Sequence, residues 1–164
     1  MFNFCDFIND AIRIMIILQC SKSRTSLKMD NNKITQFDYY LKFPYTMLEE
    51  KAEPYGFIEN IDEYYAFFHW QPNVIQYRQV INYLIAKGFI VKDNDSFYQI
   101  TDIGTEALNK IDNKYYSKLS EFCLKAVIPT IYNWSSKKIE QDIKTKANII
   151  TLRGIIKNDK HQIG

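Results

Sequence analysis

The residues able to do chemistry are few and badly placed for it. The two histidines are His69, inside an aromatic run, and His161, near the C-terminus. Neither stands at metal-ligand spacing from another His, Cys or carboxylate. Cys5, Cys20 and Cys123 are odd in number and form no C-x-x-C, so neither a disulfide framework nor a zinc site is indicated, and reduced buried thiols are the expectation. The acidic pairs Glu49-Glu50 and Asp62-Glu63 read as solvated charge rather than acid/base couples. The isolated glycines match no phosphate-binding loop. No catalytic, cofactor or metal residue is expected, and the chain reads as a non-enzyme.

Binding chemistry is better represented. Residues 74–87 form an amphipathic helix with Val74, Tyr77, Ile81, Leu84 and Ile85 on its core stripe, ending at Gly88. Its opposite face holds Ile75, Gln76, Gln79, Asn82, Tyr83 and Ala86. Gln and Asn can read adenine edges, but DNA affinity rests mostly on cations at phosphates, and the nearby cations are Arg78 and Lys87. Lys92 follows beside Asp93 and Asp95, so that turn is locally acidic. Tyr and Ile among amides suit a protein contact, which makes Gln76, Gln79, Asn82 and Tyr83 candidate partner-binding residues. Tyr39, Tyr40, Phe43 and Tyr45 form a second aromatic cluster with the same potential. For nucleic acid the candidates are Arg78, Lys92, Arg153, Lys157 and Lys160.

Composition sets the frame for these residues. The chain has 164 residues, 21 basic and 19 acidic, for a net charge of +2. That is too small to make polyanion attraction general. Residues 1–72 carry 7 basic and 10 acidic side chains, net −3, whereas 137–164 carry 7 and 3, net +4, so any acidic partner or nucleic acid is expected at the C-terminal end. With 11 Phe, 12 Tyr and 2 Trp against 5 Gly and 4 Pro, the chain is no disordered linker. Its N-terminal apolar run contains Arg13 and follows Asp6 and Asp10. It resembles neither a signal peptide nor a membrane span. A cytoplasmic protein is expected.

The elements that position the candidates follow from pattern. Residues 8–19 are apolar nearly all round and predict a buried helix. A polar loop leads to a second helix from about residue 34, stopped by Pro44, and a short helical turn near 47–53. The aromatic run 64–70 favours an extended segment. After the 74–87 helix, apolar runs 89–91 and 97–100 flank Asp93-Asn94-Asp95-Ser96, a hairpin signature. Thr101 caps a further helix, expected to continue toward Leu124. Pro129 interrupts; helical periodicity resumes over 131–134 and 139–150, and residues from Arg153 onward read as a frayed basic end. The expectation is a mainly α (α+β) chain. It has a winged helix-turn-helix core with a hairpin wing over 1–124, and a helical extension with a basic tail over 125–164.

Two segments narrow this further. Asn9-Asp10-Ala11-Ile12-Arg13-Ile14 and Phe37-Asp38-Tyr39-Tyr40-Leu41-Lys42-Phe43-Pro44-Tyr45-Thr46-Met47-Leu48 resemble the small middle components of ABC-three component systems, which are related to the Lamassu type of bacterial anti-phage defence. With the winged segment, the resemblance covers roughly residues 9–124. It implies a non-catalytic accessory subunit between an SMC-like ATPase, which engages DNA, and an effector. It fixes no contact residues. A stand-alone winged-helix transcription regulator is the alternative.

Overall fold

In a computed structural model, described over residues 3–162, one helix supplies the platform on which the others pack. This is α1 (Phe4–Ser21), begun by Asn3, whose side chain accepts from the Cys5 amide at 3.0 Å. Ile14, Ile16, Ile17 and Leu18 are buried on several sides of it, as the all-round apolar pattern requires. Against it lie α2 (Asn31–Lys42), capped by Asp30, and α4 (Val74–Ala86), capped by Asn73. Between these come α3 (Pro44–Ala52), with Pro at its first position where no donor is needed, and two 3₁₀ turns, Glu53–Tyr55 and Glu63–His69.

The hairpin forms as expected. Strand β1 (Ile90–Lys92) pairs antiparallel with β2 (Tyr98–Ile100) in the register Ile90 to Ile100, Val91 to Gln99 and Lys92 to Tyr98. Its turn is closed by Asp93, whose carboxylate accepts from the amides of Asp95 and Phe97 at 2.9 and 3.0 Å. The Tyr98 amide donates outward to the Met29 carbonyl at 2.8 Å, so the loop before α2 covers an edge the two-stranded sheet would otherwise expose. Thr101 caps α5 (Asp102–Asn109) through the Gly104 amide.

The helix expected to run from Thr101 toward Leu124 is two helices. Asn113 starts a new one, α6 (Lys114–Phe122), by accepting from the Tyr115 and Tyr116 amides. From there the chain stays helical through a π turn (Cys123–Val127) into α7 (Ile128–Ile131). The π turn explains why Pro129 does not stop it. The Ile128 amide reaches back five residues to the Cys123 carbonyl, and the widened turn leaves room for a ring with no donor.

Two further expectations are corrected. Residues 64–70 are not extended; they coil into the Glu63–His69 turn. Nor are residues from Arg153 frayed, since α8 (Ser136–Gln162) is continuous. It lies along α2, α3 and the Glu63–His69 turn and joins the same core through Ile139, Ile143, Ala147 and Ile150. Gly154 makes that packing possible. A Cβ there would stand 2.6 Å from Tyr64 Cγ and 2.8 Å from its Cβ, too close for either to yield cheaply.

A helix-interior Gly→Ala change ordinarily stabilises by about 0.5–1 kcal/mol. Here the sign inverts: Gly154→Ala is expected to destabilise by about 1–3 kcal/mol through overpacking, read as a lower midpoint in urea. A raised midpoint would show that Tyr64 does not pack there.

Candidate functional site: the α4 face and the ion network beneath it

Asp38 on α2 is fully buried. Arg13 on α1 donates to it twice, from Nε to Oδ1 at 2.7 Å and from a terminal nitrogen to Oδ2 at 3.3 Å. The Tyr77 hydroxyl on α4 donates to Oδ2. Arg13 also binds Asp10 one turn earlier on α1, and the Gln76 amide donates to the other oxygen of Asp10 at 2.5 Å. Lys42 lies 3.7 Å from both carboxylates and 5.2 Å from the centre of the Tyr77 ring. Two carboxylates thus meet two cations, and each helix of the α1–α2–α4 layer contributes a partner. An isolated buried charge would be very costly, so pairing of this completeness is what permits the cluster.

Burial alone would raise the Asp38 carboxyl. The Arg13 and Lys42 charges and the hydrogen bonds from Arg13 and Tyr77 outweigh it, holding Asp38 below the ordinary carboxylate value. Burial, with Asp38 beside it, pushes the Tyr77 hydroxyl well up. Neither group exchanges a proton near neutral pH, so the cluster is suited to positioning α4 rather than to acid–base work.

Glu63 is a second buried carboxylate, against the expectation of solvated charge for the Asp62-Glu63 pair. It accepts from the backbone amides of Thr46 and Tyr45 at 3.1 and 3.4 Å and from the Thr46 hydroxyl, occupying the N-terminus of α3. Here burial prevails over those bonds, and the Glu63 carboxyl is raised.

The second aromatic cluster is corrected from surface to core. Tyr39, Tyr40, Phe43 and Tyr45 are all buried. Their hydroxyls are used within the chain: Tyr39 donates to the Ala66 carbonyl, Tyr40 to Asp142 at 2.5 Å, and Tyr45 to Glu49 at 2.7 Å. Phe43 packs on Tyr39 at 4.9 Å and stacks on the exposed His69 at 6.1 Å. Tyr39, Tyr40 and Phe43 fasten α2 to α8 and to the Glu63–His69 turn, whereas Tyr45 is bonded within α3 and lines a groove beside Glu49 and Arg153.

On α4, Gln79, Asn82 and Arg78 are exposed, as expected. Gln76 is half-buried and engaged with Asp10. Tyr83 is half-buried too, its ring edge-on to Phe7 at 5.3 Å. The core stripe is Tyr77, Val80, Ile81 and Leu84. Val74 and Ile85, expected inside, lie outside at 59% and 39% exposure. Val74 is the first helical residue and overhangs the core; Ile85 is on the last turn. Ile85 thus lies apart, while Val74 and Ile75, the latter at 68%, with Phe4 of α1 at 66%, leave apolar surface exposed at the N-terminal ends of α4 and α1. It borders a cleft of about 360 Å³ between the N-termini of α1 and α4, lined by Phe7, Ile75, Gln76 and Gln79 among others.

The candidate nucleic-acid residues fall on separate elements. Arg78 and Lys92 are on α4 and β1, which pack on one another, and the Lys92 ammonium sits over the Tyr98 ring. The other three are on α8. Arg153 approaches Glu49 at 4.0 Å, and Lys157 pairs with Glu59 at 3.1 Å and donates to the Tyr64 hydroxyl at 3.1 Å. Lys160 is exposed. The tail cations are thus largely engaged inside the chain. Lys146 is similarly committed, donating to the Met47 carbonyl at 2.6 Å where Leu48 kinks α3. Cys20 and Cys123 are buried, whereas Cys5 is exposed. Among the described residues no group of His, Cys, Asp and Glu is arranged to hold a metal ion, and no helix is long and apolar enough to cross a membrane.

Sequence reasoning missed Asp10, Arg13, Asp38, Tyr77 and Glu63. The available signal was charge in the wrong place, namely Asp10 and Arg13 within a helix apolar on every side. No family model, curated protein or solved structure matches this chain.

Asp38→Asn leaves Arg13 and Lys42 to share Asp10 and is expected to cost about 1.5–3 kcal/mol at pH 7. Because the Asp38 carboxyl is lowered on folding, its contribution is present above its unfolded value of about 3.9. It is lost as pH falls through the lower folded value. Urea midpoints between pH 7 and 2 should therefore fall less steeply in Asp38→Asn than in wild type. Glu63 has the opposite sign, its contribution being present below about 4.3 and lost as pH rises through the raised folded value. Glu63→Gln should accordingly be neutral or stabilising at pH 7. Parallel acid curves for wild type and Asp38→Asn would remove Asp38 from this role.

Proposed function

We propose that this protein is the non-catalytic middle subunit of an ABC-three component system related to the Lamassu type of anti-phage defence. It joins an SMC-like ATPase to an effector through protein contacts in the cytoplasm. The fold it uses is a winged helix, with α4 in the place of the recognition helix and the β1–β2 hairpin as the wing. Three features support the winged reading: the order of α4, hairpin and α5, the Thr101 cap, and the Tyr98–Met29 bond that adds to the sheet edge.

The observation that carries the functional reading is the character of the outward α4 surface. Val74, Ile75 and Ile85 are exposed beside the amides Gln79 and Asn82, while the local cations are Arg78 and Lys87. Lys87 leans over the Tyr83 ring at 5.8 Å, and the wing tip carries Asp93 and Asp95. Apolar side chains among amides favour a protein partner, and scarce cations with an acidic wing disfavour a phosphate backbone. The resemblance of residues 9–14 and 37–48 to the middle components supplies the identity of the partners. DNA is then engaged through the ATPase.

The test pairs stability with assembly. Ile75→Asp and Gln79→Ala change exposed positions and should shift stability by no more than about 0.5 kcal/mol. Both are expected to reduce co-purification with the ATPase subunit of the proposed system. The isolated protein should bind duplex DNA without sequence preference, with Kd of about 10⁻⁶ M or weaker at physiological salt. Full assembly and defence by both variants would remove α4 from the interface. Binding of one defined site at about 10⁻⁸ M would make the protein a transcription regulator instead.

A further inference from the structure

Away from α4, unpaired positive charge gathers at one end of the molecule. The loop joining α1 to α2 carries Lys22, Arg24 and Lys28, with no acidic side chain from residue 22 to 29. This loop is anchored from within. Leu27 and Met29 are buried, the Leu27 amide donates to the Arg24 carbonyl at 3.0 Å, and the Met29 carbonyl accepts from Tyr98 of the hairpin at 2.8 Å. Burying those two apolar residues turns the three cations outward together with Ser23, Thr25 and Ser26, and all are exposed. The start of α8 lies alongside. Asn32 donates to the Ser136 hydroxyl at 2.8 Å and Gln36 to the Ser136 carbonyl at 3.0 Å, which brings Lys137 and Lys138 to the same end as Lys33. Arg24 ties the two segments together, its guanidinium lying over the Tyr132 ring at 4.4 Å, and Lys138 lies over Trp134 at 4.1 Å.

Among the described residues, none of these cations is within ion-pair distance of a carboxylate, whereas Lys42, Lys144, Lys146, Arg153 and Lys157 all are. Of the acids on bordering elements, Asp30 and Asp93 accept from backbone amides. Glu121 and Glu140 are paired to Lys125 and Lys144, which leaves Asp95 at the hairpin tip. The surface is therefore of one sign, and its composition selects the occupant. None of the exposed large apolar side chains belongs to residues 21–33 or 132–138. A partner helix or a bilayer is held largely through apolar burial and finds none here. Tyr132 and Trp134 are half-buried beneath their cations, so no open ring is offered for a base to stack on. What remains is ammonium, guanidinium and hydroxyl, the groups that contact phosphate without reading sequence. A duplex, with one charge about every 1.7 Å of its axis, presents phosphates most densely.

We propose that the α1–α2 loop and the start of α8 bind the phosphate backbone of a nucleic-acid duplex, without sequence preference, through Lys22, Arg24, Lys28, Lys33, Lys137 and Lys138. These residues are neither on α4 nor among the cations singled out from sequence, and the proposal does not depend on the assembly reading. Labelled duplexes of about 20 base pairs and mixed sequence, one of DNA and one of RNA, are titrated against the full chain by fluorescence anisotropy between about 50 and 200 mM salt. Lys22→Gln/Lys28→Gln/Lys137→Gln should weaken binding at least about tenfold at the low-salt end. It should also make the slope of log K against log salt shallower by about 2–3, at about 0.9 per lost contact. All three positions are exposed, so the thermal midpoint should stay at the wild-type value. Lys114→Gln/Lys118→Gln/Lys160→Gln makes the same change in net charge at exposed positions on other parts of the molecule, and should alter affinity less than about threefold. With that contrast, binding of either duplex satisfies the proposal, and the tighter one names the nucleic acid. Equal losses in the two triple variants, wild-type affinity in the first, or no binding of either duplex each overturn it. So does binding of poly-glutamate or of phosphatidylserine vesicles that the first triple variant loses, where neither duplex binds. That result would make the occupant an acidic protein or a membrane. Both variants leave α4 intact, so failure here is distinct from failure of the assembly reading.

Discussion

Asp38 has no contact with water, yet it carries a charge. That requires cations and donors to be delivered to it. Arg13 comes from α1, Tyr77 from α4, and Lys42 from one turn further along α2. Because the guanidinium is a rigid planar fork, the bond fixes direction as well as distance, and α1 and α2 cannot rotate relative to one another without breaking it. Tyr77 extends the constraint to α4, and Gln76 repeats it through Asp10. The placement of the α4 face, and of the hairpin that follows it, derives from this cluster. Its value lies in specificity of arrangement: an apolar replacement of the whole cluster could be as stable, but removing one member leaves a stranded charge.

A second set of polar bonds holds the other half of the molecule. Tyr40 on α2 reaches Asp142, the neighbouring Lys146 reaches the Met47 carbonyl at the kink in α3, and Gln36 donates to the Ser136 carbonyl at 3.0 Å. Thr151 donates to the Tyr64 carbonyl at 2.7 Å, and Lys157 closes on Glu59. The basic excess of residues 137–164 is thus spent largely on docking α8 to the acidic N-terminal half, a use of charge asymmetry that needs no external polyanion. Over its last turns α8 leaves Ile149, Leu152, Ile155 and Ile156 outward, alongside exposed polar residues such as Asn148, Asn158 and Asp159.

Local chemistry was legible from sequence where the deciding partners are close in the chain. The caps at Thr101 and the breaks at Pro44 and Gly88 follow from one or two residues each, and so does the hairpin around Asp93. The buried character of α1 was legible from its lack of a polar face. The residues that went astray depend on partners far away. The 64–70 run coils because Ala66 and Tyr64 meet Tyr39 and Thr151, 27 and 87 positions distant. Gly154 and Asn158 argue against helix locally, but Tyr64 packing into the space left by Gly154 overrides propensity. On α4 the phase was right for Tyr77, Ile81 and Leu84 and wrong for Val74 and Ile85, which lie beyond the ends of the surface that α1 covers. Aromatic richness at 39–45 is compatible with core or interface, and only the hydroxyl partners decide it.

The claim on which the rest turns is that Arg13 and Asp38 act as one unit across α1 and α2. A double-mutant cycle measures that directly, from urea unfolding at pH 7 of wild type, Arg13→Met, Asp38→Asn and the double variant. Each single change strands a buried group of the other, so the double variant is expected to be no less stable than the worse single one. The coupling should then amount to at least about 1 kcal/mol. Additive costs, with coupling near zero, would mean that the two charges are independently accommodated and that the network does not organise the helices.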